Sequence, residues 1–175
     1  MTKYFCAGNK VYLREIQLSD VSLIVEWKND ALIQKMALDP DVKISFENQE
    51  RDVKKAIECD KEFYLIIVVK ETEQPIGYIR IDWMDNAREC AWLRFALGEK
   101  RGQGYAKDAL RSFLDFLFTE GTHRVEAEVY EFNTVSLGLL ESLGFKKEGL
   151  KRKAHFDGEM FVDVCVLGLL DEDWG

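Results

Sequence analysis

Between residues 63 and 130 the apolar residues pass from strand period to helix period and back, and few folds accommodate that pattern. Phe63 to Lys70 is a continuous β-rich run, as in a strand covered on both faces. After the turn Glu73-Gln74-Pro75, the residues Ile79, Ile81 and Trp83 alternate with Tyr78, Arg80 and Asp82. That predicts a half-buried strand with its polar side toward water. Asp85-Asn86 predicts a hairpin turn, and Arg88 to Leu97 the next strand. The period then lengthens. Ala106, Leu110, Phe113, Leu114 and Leu117 form a helical stripe that ends at Gly121. Val125, Ala127 and Val129 return to alternation. A strand–helix–strand unit from Arg88 to Tyr130 thus sits among hairpins, which requires an α/β architecture: a mixed sheet with helices on its faces.

The flanking segments extend the same plan. Lys10 to Glu15 predicts a first strand. Ser19 is the expected N-cap of a helix carrying Leu23, Ile24 and Trp27, broken at Asn29-Asp30. A second helical piece is expected over Leu32 to Met36 and a turn at Asp39-Pro40-Asp41. Ser45 caps a third helix with Val53, Ala56 and Ile57 inward. Asn133 caps a later helix, which ends at Gly144 with Phe145 placed for a Schellman contact. Two strands close the chain, near Phe145 to His155 and Met160 to Leu169. With no linker and no repeat, residues 1–175 read as one domain.

Composition excludes several functions. The 32 acidic residues against 24 basic ones give a net charge of −8, and basic clusters are short. A nucleic-acid binder needs a basic stripe to neutralise phosphates, so none is expected as a partner. The longest apolar runs, Phe63 to Val69 and Val164 to Leu170, are far shorter than the roughly 20 residues of a membrane helix. Met1 to Phe5 has no charged-then-apolar build, so a cytoplasmic protein is expected. Cys6, Cys59, Cys90 and Cys165 are scattered, and only His123 and His155 could join them. We expect reduced thiols and no metal site.

The chemistry concentrates in Lys100-Arg101-Gly102-Gln103-Gly104-Tyr105-Ala106. A basic, glycine-bearing loop here joins a strand end to a helix N-terminus, where free N–H groups and the helix dipole favour an anion. A glycine-bearing turn before an ordinary helix is the plain alternative. The loop is not a Walker A, since no Gly-Lys-Ser/Thr follows, and Lys107 stands where a dinucleotide fingerprint needs its third glycine.

The loop resembles the R/Q-x-x-G-x-G/A signature of the GNAT acetyltransferases, with Arg101, Gly104 and Ala106 at its positions. Asn133-x-x-Ser136, followed by Glu141-Ser142-Leu143-Gly144-Phe145, resembles that family's second motif. Trp27-Lys28-Asn29-Asp30 near the start, and Glu148-Gly149, Asp157-Gly158 and Asp163 near the end, are similar to one branch of the family. That branch holds the ribosomal-protein N-terminal and spermidine acetyltransferases. The resemblance implies a mostly antiparallel sheet, splayed where acetyl-CoA enters.

It also implies roles for particular residues. Arg101, Gly102, Gln103, Gly104, Tyr105 and Ala106 would cradle the pyrophosphate. The backbone of Arg94, Phe95 and Ala96 would hold the pantetheine arm and the acetyl carbonyl, with Asn133 as a further contact. A lysine-like amine has an unperturbed pKa near 10.4 and must lose a proton before attack, which calls for a carboxylate acting through water. Glu89 is the candidate, with Glu126 and Glu128 as rivals. Many relatives carry a tyrosine seven residues after the motif asparagine to protonate the thiolate. This chain has Leu140 there, which leaves Ser136 as the candidate, provided their common helix face looks at the thioester.

Trp27, Asp30, Trp83, Asp85 and Trp92 are the acceptor-pocket candidates. Aromatic rings with acids suit a cationic amine. The expected function is acetyl transfer to a primary amine, of a protein N-terminus, a polyamine or an amino sugar, with a homodimer as the family-level expectation. A non-catalytic acyl-CoA-binding or sensory domain is the second reading, and Leu140 favours it. A nucleotide-phosphate binder of another fold is the third.

Overall fold

The computed structural model describes residues 4–37 and 43–175. The turn expected at Asp39-Pro40-Asp41 lies outside the described residues. The chain runs β1 (Cys6–Ala7), β2 (Val11–Glu15), a 3-10 turn (Leu18–Asp20), α1 (Val21–Lys28), α2 (Ala31–Met36), α3 (Phe46–Glu58), β3 (Glu62–Val69), β4 (Pro75–Trp83), β5 (Cys90–Leu97), α4 (Tyr105–Thr119), β6 (Arg124–Tyr130), α5 (Thr134–Ser142), β7 (Lys146–Phe156) and β8 (Phe161–Leu170). The strands form one sheet in the order β1-β2-β3-β4-β5-β6-β8-β7. Every neighbouring pair is antiparallel except β5–β6. The expected mixed, mostly antiparallel sheet is therefore present.

Alternation along β3 divides the core in two. Leu65, Ile67 and Val69 point to the side of α4 and α5, into the same core cluster as Phe113, Leu114 and Leu140. Tyr64, Ile66 and Val68 point to the side of α1 and α3, against Ile24, Trp27 and Val53. Helices thus cover both faces, and β3 is buried on both, as its continuous apolar run requires. In α4 the buried Ala109, Leu110, Phe113, Leu114 and Leu117 follow helical spacing. Both helices flanking β6 end in Schellman geometry. In α5 the Phe145 N–H reaches Leu140 O at 3.1 Å and the Gly144 N–H reaches Glu141 O at 3.0 Å. In α4 the Thr122 N–H reaches Leu117 O at 3.0 Å.

The structure differs from expectation in four places. The two-residue β1 is too short to show a period. The cap of the first helix is not Ser19: the Asp20 carboxylate accepts from the Gln17 N–H at 2.8 Å and from both terminal nitrogens of Arg14 at 2.8 Å. In α3 the inward residues are Gln49, Val53 and Ala56, whereas Ile57 faces solvent. Arg80 is the largest departure. It is buried, with its Nε at 2.6 Å from Glu62, its two terminal nitrogens at 2.7 and 2.9 Å from Asp52, and its guanidinium over the Tyr64 ring. Its side of β4 faces α3 rather than water.

Candidate functional site

The parallel pair β5–β6 sets the position of the site. Only Cys90↔Arg124, Ala91↔Val125 and Trp92↔Glu126 are in register. Beyond them β5 stays on β4 as far as Leu97, and β6 stays on β8 as far as Tyr130. The two strands therefore part. Leu93–Leu97 and Ala127–Tyr130 become the walls of a cleft whose vertex lies at Trp92 and Glu126. Backbone groups along the inner edge of β5 are left without a neighbouring strand, which suits a ligand that itself carries amides.

The glycine loop closes the wide end of that cleft. Gly98 N–H donates to Ile76 O at 2.8 Å and anchors the start of the loop. Gly104 is the N-cap of α4 with φ 81° and ψ 4°, and Gly102 has φ 75°. Side chains rarely adopt that region. A Cβ at Gly102 would meet nothing within 4 Å, and one at Gly104 would meet only Lys10 Nζ, at 3.6 Å. The loop is thus a bare backbone concavity at a helix N-terminus, and it fits a pyrophosphate. Tyr105 and Ala106, half-buried, form the first turn of α4. Arg101 does not extend outward. Its Nε donates to Leu97 O at 2.8 Å and Nη2 lies 3.2 Å from Asp30 Oδ1, which braces the loop against the cap of α2. Gln103 is exposed at the mouth of the loop.

Along the wall, Arg94, Phe95 and Ala96 are half-buried. Phe95 packs toward the α4 side and Ala96 toward the α1 side. Arg94 is ion-paired to Asp82 and lies over Trp92, 4.7 Å from the ring centroid. Across the cleft, the buried Asn133 caps α5, with its side-chain oxygen accepting from Ser136 N–H at 3.2 Å. Ser136 is half-buried in the first turn. Leu140 does not share its outlook. It is fully buried, in the core cluster that also holds Leu143, Phe145 and the inward residues of α4, so the face expected to look at the thioester is turned into the core at this position. Leu140→Tyr is therefore expected to destabilise the fold by about 1–3 kcal/mol through overpacking, rather than restore an acid. Chemical denaturation of the variant checks this.

The structure also separates the proposed bases. Glu89 precedes β5 at its closed end, where its carbonyl accepts from His123 N–H at 2.8 Å and Arg124 N–H at 2.9 Å. The four residues from there to Leu93 span roughly 13 Å of strand. Glu126 sits at the vertex itself and is held by Arg124 at 2.9 Å, while Glu128, further along the wall, is paired with Lys151.

The five acceptor candidates do not come together. Trp27, 3% exposed, packs against Gly98, and Asp30 engages Arg101; both lie at the root of the loop. Trp83 and Asp85 lie at the other end of the β4–β5 hairpin, where Trp92, paired with Asp82 at the vertex, is one register step from Trp83 but on the opposite face of the sheet. The seven steps of β4 from Ile76 to Trp83 amount to roughly 23 Å. Asp85 holds its own turn: its carboxylate accepts from Glu89 N–H at 3.0 Å and Cys90 N–H at 2.8 Å, and these backbone donors hold its pKa below the ordinary value. Asp30 and Asp82 are each paired with an arginine, which weakens the expected attraction for cationic amines, whereas Asp85, bound by backbone donors, keeps its charge. Among the described residues no cluster of His, Cys, Asp and Glu could hold a metal ion, and no helix is long and apolar enough to cross a membrane. Sequence reasoning missed Lys10 and Asp108, which flank the loop from the β1–β2 turn and from α4. They lie 98 positions apart, so no local motif joins them.

Comparison with known proteins agrees with this geometry. Residues 10–146 match the family model described as an acetyltransferase (GNAT) domain. The chain is 30% identical over 172 residues to the uncharacterized N-acetyltransferase p20 of Bacillus licheniformis, covering 94% of this chain and 95% of that one. Among solved structures it is similar to spermidine N-acetyltransferase from Vibrio cholerae, in complex with CoA and spermine, with TM-score 0.86, 21% identity, and 95% and 98% of the two chains covered. It is likewise similar to RimL, a ribosomal L7/L12 alpha-N-protein acetyltransferase in complex with CoA, with TM-score 0.85, 18% identity, and 96% and 98% covered. The parted strands, the glycine loop between them and a match over residues 10–146 have one reading: the chain belongs to the GNAT acetyltransferases and is an N-acetyltransferase that uses acetyl-CoA.

Proposed function

We propose that this chain moves the acetyl group of acetyl-CoA directly onto a primary amine of a peptide N-terminus, a polyamine or an amino sugar. The observation that carries the proposal is the parting of β5 and β6 after three registered pairs, with the Gly102–Gly104 loop at its wide end. The donor supplies a thioester activated toward amines. The loop backbone holds the donor's phosphates, and the free edge of β5 at Arg94–Ala96 aligns its amide-bearing arm and directs the carbonyl toward the vertex. A protonated amine must give up a proton there before its lone pair is available. Glu126 is the carboxylate at the vertex, and Glu89 reaches it only through intervening water. Ser136, at the start of α5, faces the departing sulfur in this proposal, and Asn133 orders that turn by capping it.

The same reading keeps residues 1–175 as one domain acting in the cytoplasm, with a homodimer as the family-level expectation. The similar spermidine and ribosomal-protein enzymes support the polyamine and the peptide N-terminus among these classes. The arginine pairs of Asp30 and Asp82 leave less free negative charge for a polyamine than the sequence suggests.

Thiol release from acetyl-CoA, measured across a panel of peptide N-termini, polyamines and amino sugars, tests the proposal. Release with at least one class is expected. Tight CoA binding with no release on any amine would replace it by the non-catalytic acyl-CoA-binding reading.

A further inference from the structure

We infer that Lys10 is a phosphate-binding residue of the donor site, delivered from the β1–β2 turn, and that Asp108 positions it. The inference rests on the acetyl-CoA reading above and adds a residue outside the family's loop signature. The Asp108 carboxylate accepts from three successive backbone N–H groups: Asn9 at 2.9 Å, Lys10 at 2.8 Å and Val11 at 3.1 Å. Those bonds fasten the turn to the first helical turn of α4. Gly8 makes room for this, because a Cβ there would run into the Asp108 carboxylate. The fastened turn presents the Lys10 ammonium at the mouth of the glycine loop. Its Nζ donates to Gln103 O at 3.2 Å, lies 5.8 Å from the Tyr105 ring centroid, and is 3.6 Å from where a Gly104 Cβ would stand.

Charge accounting points the same way. Arg101, the signature cation, has its guanidinium on the Leu97 carbonyl and the Asp30 carboxylate. Asp108, the carboxylate of α4 that holds this turn, accepts from three backbone donors and forms no ion pair with the Lys10 ammonium among the described residues. Lys10 itself is exposed and, among the described residues, its ammonium is held by a carbonyl and a ring face. An ammonium in that position, beside the free N–H groups of α4, faces a pyrophosphate seated in the loop.

Titration calorimetry on the full chain separates this inference from its premise. Three ligands are used: CoA, dephospho-CoA and the phosphate-free S-acetylpantetheine. Lys10→Met is expected to weaken CoA about tenfold, the loss of one charge-assisted hydrogen bond. Dephospho-CoA should lose the same factor, S-acetylpantetheine none, and Lys10→Arg should restore most of the affinity. The wild-type advantage should also shrink as salt rises. Asp108→Ala should weaken CoA while leaving S-acetylpantetheine unchanged. Equal CoA affinity in wild type and Lys10→Met overturns the inference, as does an equal loss for S-acetylpantetheine. A loss confined to CoA and absent for dephospho-CoA overturns the pyrophosphate assignment in favour of the ribose phosphate. Failure of the wild type to bind CoA at all would instead overturn the acetyl-CoA reading.

Discussion

Arg80→Met is expected to cost about 3–5 kcal/mol of stability, the penalty for leaving buried charge without its partner. Glu62 is 8% exposed and keeps its carboxylate in the sheet when the guanidinium is gone. Asp52, on α3, loses two hydrogen bonds at the same time. For a chain of this size each kcal/mol corresponds to about 2–4 °C in melting temperature, so calorimetry should show a fall of roughly 6–20 °C. Combining Arg80→Met with Glu62→Gln and Asp52→Asn should recover much of the loss, because neutral amides tolerate burial better than unpaired carboxylates. Failure of the triple variant to recover would assign the cost to lost packing over Tyr64 instead.

The same network has a pH signature. Burial alone would raise the Asp52 pKa, but the hydrogen bonds and charge of Arg80 outweigh it and leave the carboxyl below its ordinary value. A depressed folded pKa means that this contribution is fully present above the unfolded value near 3.9. It is lost as pH falls through the lower, folded value. Wild type should therefore lose stability faster than Arg80→Met across that acid window.

Much of the architecture is legible in the residues because one driving force writes it. Burial on both faces gives β3 its unbroken apolar run, and burial on one face gives α4 its stripe. Asn133 and Gly144 mark α5 because helix ends must satisfy orphan backbone groups locally. The cofactor loop is legible for the same reason: strand end, glycines and helix start are adjacent in the chain. The failures are non-local. The alternation of Tyr78, Arg80 and Asp82 reads as a wet face, yet α3, from an earlier segment, covers part of it. Ser136 and Leu140 are one turn apart, yet spacing does not give a helix its rotation against the sheet, and Leu140 is in the core. Trp27, Trp83 and Trp92 look alike as pocket aromatics, yet Trp27 sits at the root of the loop, while strand register places Trp83 and Trp92 one step apart on opposite faces of the far end of the hairpin. Lys10 reaches the loop through Asp108, a contact whose two ends carry no shared motif.

Gly104→Val is expected to abolish donor binding while the chain still folds. At a hundredfold excess over its dissociation constant, acetyl-CoA should stabilise the wild type by about 2.7 kcal/mol. That gain should vanish in the variant, for two reasons. The φ of 81° at Gly104 is strained for any residue with a Cβ and most of all for a branched one, so the loop backbone shifts. The branched side chain also projects into the concavity that a phosphate must enter, beside Lys10. Strain alone should lower apo stability by about 1–2 kcal/mol. Gly121→Val controls for it. Gly121 lies just past the other end of α4 with φ 96° and nothing within 4 Å of its would-be Cβ. It carries comparable strain far from the cleft, so that variant should melt earlier yet keep the full shift with acetyl-CoA. Equal ligand-induced shifts in Gly104→Val and wild type would mean that the donor's phosphates are not held by this loop, and the site would have to be sought away from the N-terminus of α4.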